Sequence, residues 1–417
     1  MYLWYTLFGS LKGGIKLEDF IKMDNLSRFV NYVKIDTQSD DTTGTTPSTE
    51  KQKNLGLLLV HELLELGLDD AHMDEFGNVY GHLPGKGSRI GLNAHMDTAL
   101  EVTGENVKPH LIRKYAGGTI VLANGLRMDP KEFPVLNKHI GHDLVVTDGN
   151  TLLGADDKAG IAIIMNALQY YKNHPEEKHS TICVCFTVDE EIGEGPLHFN
   201  YRKMNAKYAY TIDGSSIDKI ECENFNAYSA TVNFKGVSIH PGEGKGKLIN
   251  ALNLASEFVS MLPKETPYES EDKEGFYHLT GIEGTCELAK LTMIIRDFKD
   301  KGMNKRIDTI NEVVKKLNKL YPTANVEVTF KKQYVNMRKY VDKKPMAIRR
   351  AKEALKNNGI EPSLGAIRGG TDGATFSKCG LITPNLGTGS YNHHGRYEFL
   401  DVQEFEKMIS VVIDLVK

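Results

Sequence analysis

The sequence predicts an α/β fold: a mostly parallel sheet covered by helices, interrupted by a smaller inserted β-α-β-β-α-β domain of ferredoxin-like order. Three observations carry that prediction. Continuous apolar runs suited to buried strands (RIGLNA, ICVCFTV, YAYTID) alternate with helical periodicity, as in a parallel sheet covered on both faces. Near residue 222 the strands change to polar–apolar alternation, and near 335 the earlier style returns. A chain of 417 residues also exceeds one average core.

In chain order, helical periodicity occupies 24–34 and 51–67, the second stopped by Gly67. Strands follow near 78–83 and 89–95, the latter delivering His95. The stretch Thr103–Leu152 is polar and punctuated by Lys108-Pro109, Gly117-Gly118 and Asp129-Pro130, which predicts an excursion above the sheet rather than a domain. A helix begins beside Asp156, with Ile161, Ile164, Met165 and Leu168 at the 3.6-residue period. Strands at 181–187 and 207–212 complete the βαβ pattern.

In the insert, Tyr228, Ala230, Val232 and Phe234 alternate onto one strand face. A helix at about 248–262, strands near 276–281 and 286–297, a helix at 303–320 and the strand VEVTF give the split βαβ order. A helix started by Pro345 and capped by Gly359, the GGTDG turn, strand LITPNL and a last helix finish the chain. The expected organisation is an extension over 1–22, a discontinuous larger domain of 23–222 and 336–417, and an insert of 223–335.

Net charge −4 with 25% charged residues gives no basic surface for nucleic acid or an anionic membrane, and points to small substrates. No apolar run approaches the roughly 20 residues of a membrane span. The amino-terminal MYLWYTLFGSLKGG lacks a basic start and an A-x-A site, so it is expected to be an extension rather than a signal peptide. Five cysteines, an odd number without a CxxC pair, fit a reducing, cytoplasmic setting. Cys183 and Cys185 share one face of an apolar strand and are expected to be buried thiols.

Chemistry gathers where strands end, the place an open α/β sheet puts its ligands. His95, Asp156, Glu191, Asp213 and His394 stand there, two imidazoles and three carboxylates suited to a pair of Zn²⁺-like ions. Asp156 is expected to bridge, since two ions roughly 3.5–4 Å apart need a shared carboxylate. Asp157 beside it fits simple N-capping equally well. Asp97, two residues beyond His95 on extended backbone, suits the carboxylate that orients a metal-bound imidazole. Glu190 and Glu191 diverge on extended backbone, so one can bind metal while the other takes a proton from water; Glu190 is expected to be that base. Of His393 and His394, one is expected to be a spectator.

HMDT, GADDKAGIA, TVDEEIG, DGSSI, the HPG of SIHPGEGKGKLINAL, IIRDF, RGGTDGA and YNHHG, in this order and spacing from about Met23 onward, resemble the zinc aminopeptidase, carboxypeptidase G and aminoacylase-type metallopeptidases, on their tripeptide-aminopeptidase side. The resemblance implies two Zn²⁺ per subunit, with Co²⁺ or Mn²⁺ as substitutes. One would be held by His95, Asp156 and Asp213, the other by Asp156, Glu191 and His394, with Asp97 and Glu190 catalytic. It implies a cis Asp156–Asp157 peptide and substrate contacts from His240, Asn250 and Arg296 in the insert, His240 as an oxyanion donor and Arg296 for a peptide carboxylate. It further implies a lid and homodimerisation role for the insert, and a small peptide as substrate. The metal set does not separate this activity from a related dipeptidase, carboxypeptidase or N-acyl-amino-acid deacylase. Where the family motif carries an aromatic, this chain has His393.

Overall fold

A computed structural model describes residues 24–343 and 345–417; the extension expected over 1–22 lies outside them. The three apolar runs become Thr181–Thr187, Arg89–His95 and Tyr208–Gly214, neighbours in one parallel arrangement with His95 opposite Thr187 and Asn93 opposite Thr211. Their burial on both faces explains why they read as unbroken apolar runs. The full sheet has eight strands, in the order His72–Met73, Val79–Leu83, Thr181–Thr187, Arg89–His95, Tyr208–Gly214, Asn385–Gly387, Lys219–Asn224, Ser363–Ile367. Asn385–Gly387 is also parallel to Tyr208–Gly214, so four strand ends face one edge. Val79–Leu83 runs antiparallel to Thr181–Thr187.

Helix Ala155–Asn173 packs on the His95 and Asp213 strands, with helices Asn25–Tyr32 and Val402–Val416 against it. Its burial is wider than the 3.6-residue stripe predicts. Ala159, Ala162 and Ile163 are buried as fully as Ile161 and Ile164, because the helix is covered by sheet and helices together. Gly160 makes the closest approach: a Cβ there would stand 1.8 Å from the Ile212 carbonyl oxygen. The helix start that carries Asp156 can therefore lie against the strand that carries Asp213 only with glycine at this point.

The predicted excursion holds structure of its own. A second four-stranded sheet, in the order Ser390–Tyr391, Phe399–Asp401, Leu144–Val146, His110–Ile112, covers a small core of Tyr115, Ile120, Met128, Leu136, Leu144 and Phe399. These strands of two or three residues are too short to show a period. LITPNL is extended only at Asn385–Gly387, although Ile382 and Pro384 still accept bonds from Ala209 and Thr211.

The chain divides into two compact units: one through Ile220 with Lys344–Leu364 and Gly380–Lys417, the other Glu221–Lys343 with Gly365–Cys379. The RGGTDG segment thus falls in the smaller unit, where the sequence placed it in the larger. The cause is Arg368, whose guanidinium donates to the Ser270, Asp272 and Glu274 carbonyls and lies over the Phe225 and Phe276 rings. The smaller unit is an antiparallel sheet ordered Phe276–Gly284, Leu288–Asp297, Asn226–Lys235, Asn325–Tyr334, packed by helices Ala251–Met261 and Asp300–Leu320. Val232 pairs with Leu291 and Val328, and Phe234 with Ala289 and Val326, which puts the alternating apolar set on one buried face.

Candidate metal centre

Parallel strands end together, so His95, the Glu190–Glu191 turn and Asp213 emerge side by side, and the loop after Asn385–Gly387 brings in His393 and His394. His95 is fixed first. Its Nδ1 lies 3.1 Å from the Asp97 carbonyl oxygen and 3.3 Å from Asp97 Oδ1, which leaves Nε2 as the free lone pair. Asp97 is fully buried and fixed in turn: the Glu190 N–H donates to its Oδ1 (3.0 Å) and the Glu191 N–H to its Oδ2 (3.1 Å).

Asp156 stands between the two imidazoles. Its Oδ1 is 2.9 Å from His95 Nε2, and its Oδ2 is 3.3 Å from His394 Nε2 and 3.2 Å from His393 Nδ1. Asp213 Oδ1 is 3.4 Å from His95 Nε2, and Glu191 Oε2 is 3.0 Å from His394 Nε2. The sequence-derived set of five is therefore brought together, with Asp156 in contact with both imidazoles. The Asp156–Asp157 peptide is cis. Asp157 is tied to backbone: its Oδ2 accepts from the His95 N–H (3.2 Å) and its Oδ1 from the Gly160 N–H (3.2 Å), the second being the capping bond expected of it.

Electrostatics match the crowding. Burial alone would raise the Asp156 carboxyl, yet His393, His394 and His95 outweigh it and hold Asp156 well below the usual carboxylate range. Burial, reinforced by the Asp156 charge, lifts Glu191 to about 7 and Asp213 to about 6. Hydrogen bonds that its ring donates to Asp156 and Glu191 push His394 up to about 12. Burial opposes charge on His95, but Asp213, Asp156 and Asp97 drive its pKa well above the ordinary value.

Fit to divalent cations follows from these atoms. Ligand atoms on a tetrahedral zinc with bonds of about 2.0–2.1 Å stand about 3.3 Å apart, and the observed separations of 2.9–3.4 Å bracket that value. Glu191 Oε1 is buried without a hydrogen-bond partner, an acceptor left for a ligand. His95, Asp156 and Glu191, and likewise His95, Asp157 and Asp213, each bring three donor atoms within 4.8 Å of one another. Nitrogen and oxygen donors without thiolate suit zinc and its borderline neighbours.

Two carboxylates were not legible in the sequence. Glu398 is fully buried and accepts from the Leu153 (2.7 Å), Gly154 (2.8 Å) and Asp156 (2.9 Å) N–H groups, which shapes the turn presenting Asp156. Asp189, at φ 57°, accepts from the Ser48 N–H (2.7 Å) and Gln52 (2.6 Å) and anchors the turn before Glu190. Both act on backbone whose path only the fold reveals; the one signal was the position of Asp189 inside the TVDEEIG motif.

His240, Asn250 and Arg296 lie in the smaller unit. His240 is exposed, and its Nδ1 accepts from the Gly242 N–H at 3.2 Å. Asn250 caps Ala251–Met261 through the Leu252 N–H (2.9 Å). Arg296 donates to the Tyr228 and Ile295 carbonyls, its guanidinium 5.3 Å from the Tyr334 ring centre.

Comparison with known proteins gives concordant matches. Residues 143–417 match Peptidase family M20/M25/M40. A Clostridium perfringens (strain 13 / Type A) protein named peptidase T is 47% identical over 395 residues, 94% of this chain and 97% of that one. Peptidase T of Bacillus subtilis (strain 168) is 45% identical over 404 residues, covering 95% and 98%. The crystal structure of aminopeptidase PepT from Bacillus cereus ATCC 10987 superposes with a TM-score of 0.75 at 22% identity, over 96% of this chain and 98% of that one. A Staphylococcus aureus tripeptidase gives 0.76 at 22% identity, over 94% and 97%.

Proposed function

The chain belongs to peptidase family M20/M25/M40, and from that premise we propose that this metal-dependent peptidase releases the amino-terminal residue of tripeptides at a pair of Zn²⁺ ions. The single observation that carries the reading is Asp156, one carboxylate whose two oxygens face two different imidazoles. In this reading His95, Asp156 and Asp213 hold one ion, and Asp156, Glu191 and His394 the other. Bound there, the ions supply Lewis acidity toward the scissile carbonyl and toward the attacking water.

The chain's own residues do the rest. Asp97 keeps the His95 Nδ1 proton on its own side, so Nε2 stays a donor of electrons. Glu190, whose backbone is tied to Asp97, takes a proton from the attacking water and returns it to the departing amine. His240 donates to the developing oxyanion, while Asn250 and Arg296 bind the peptide's polar groups; the support for these three is their hydrogen-bonding chemistry. Homodimerisation through the smaller unit belongs to the same reading, supported by its outer strand Phe276–Gly284, which carries the exposed Ile282. None of the five cysteines forms a disulfide, which supports a cytoplasmic setting. No described helix is long and apolar enough to cross a membrane.

The test is a panel of di-, tri- and tetrapeptides with free and blocked amino termini. Tripeptides with a free amino terminus should be cleaved best, with release of the first residue. Preference for blocked termini, or release of the last residue, would replace this reading with a deacylase or carboxypeptidase.

A further inference from the structure

A line of protons runs from the Gly214 carbonyl to Asp156, and its direction can be assigned. The Gly214 oxygen only accepts, so the Thr388 hydroxyl, 2.9 Å away, spends its proton there. Ser390 Oγ lies 2.7 Å from Thr388 Oγ and must therefore be the donor of that pair. With its own proton committed, Ser390 Oγ accepts from His393 Nε2 at 2.8 Å, which places a proton on Nε2. Thr388 and Ser390 are each 1% exposed, so bulk water does not offer an alternative arrangement.

In the neutral ring the other nitrogen, Nδ1, then carries a lone pair, and it faces Asp156 Oδ2 at 3.2 Å. A bare lone pair facing a carboxylate oxygen is repulsive; either a proton on Nδ1 or a cation shared by the two atoms relieves it, and the convergence of His394 Nε2 on the same oxygen favours the shared cation. The same oxygen is 3.3 Å from His394 Nε2, so two nitrogens approach one oxygen at about the 3.3 Å edge expected of zinc ligands. We propose that His393 Nδ1 is a further ligand of the cation taken by Asp156, Glu191 and His394, held in its metal-binding tautomer by Ser390 and Thr388. The inference rests on the two-cation reading above and adds a third imidazole to it.

The test is titration of metal-stripped protein with Co²⁺, followed by visible and X-ray absorption, in wild type, His393→Phe, His393→Gln and Ser390→Ala. Wild type should take up two ions sharing three imidazoles. His393→Phe and His393→Gln should both weaken the second ion about 10- to 100-fold and leave two imidazoles in all, and Ser390→Ala should weaken it less. Wild-type affinity and an unchanged spectrum in both His393 variants would overturn the proposal while leaving two cations intact. A wild-type chain that takes up fewer than two ions would overturn the two-cation reading itself.

Discussion

Asp97 Oδ1 accepts the backbone N–H of Glu190 at 3.0 Å, while the same carboxylate faces His95 Nδ1. One buried side chain therefore sets both the tautomer of a metal-binding imidazole and the position of the proposed base. Turn and strand are registered to each other through the Glu190 backbone N–H.

Glu190→Gln should thus keep the turn and the metals while losing the chemistry. Removing a general base costs about 10²- to 10⁴-fold in turnover. The expected result is a kcat reduced by at least that much, with metal content per chain equal to wild type. Near-normal turnover would show that another group accepts the proton.

Gly160→Ala tests how the helix start is placed. The added Cβ would collide with the Ile212 carbonyl one residue before Asp213, and overpacking of this kind costs about 1–3 kcal/mol. Urea unfolding should show that loss, and metal affinity should fall as well, since Asp156 and Asp213 would be pushed apart. Unchanged stability would mean that the helix and strand separate freely.

How much of this was legible in the sequence depended on scale. His95, Glu191 and Asp213 stood out because each ends an apolar run, and buried parallel strands make such runs long and unbroken. The insert was legible because Val232 and Phe234 alternate over a half-buried sheet. Glu398 and Asp189 were not, because they act by accepting backbone N–H groups of loops whose path no local pattern specifies. The strands Leu144–Val146 and Phe399–Asp401 were hidden by their length. For His393 the composition posed the question, and only the positions of Ser390 and Thr388 give its tautomer.

Acid stability is expected to depend on Asp401. This fully buried carboxylate faces His139 Nδ1 (2.7 Å) and His142 Nδ1 (2.5 Å) and caps the last helix through the Glu404 N–H. Burial raises its pKa, but these hydrogen bonds outweigh burial and leave it below the ordinary value. A carboxylate lowered in the folded state stabilises above its unfolded pKa of about 3.9, and that stability is lost as pH falls through the folded value. Asp401→Asn should therefore cost about 2 kcal/mol above about pH 5, with the gap closing below about pH 4. A gap independent of pH, by urea unfolding across that range, would exclude the charge as its source.

The central claim is a carboxylate shared by two ions, and the most direct measurement is metal content per chain in Asp156→Ser against wild type after equilibration with zinc. Wild type should hold two ions and the variant should be depleted at both positions, because each loses a ligand oxygen. A folded Asp156→Ser chain that still holds two zinc ions with wild-type affinity would contradict the account.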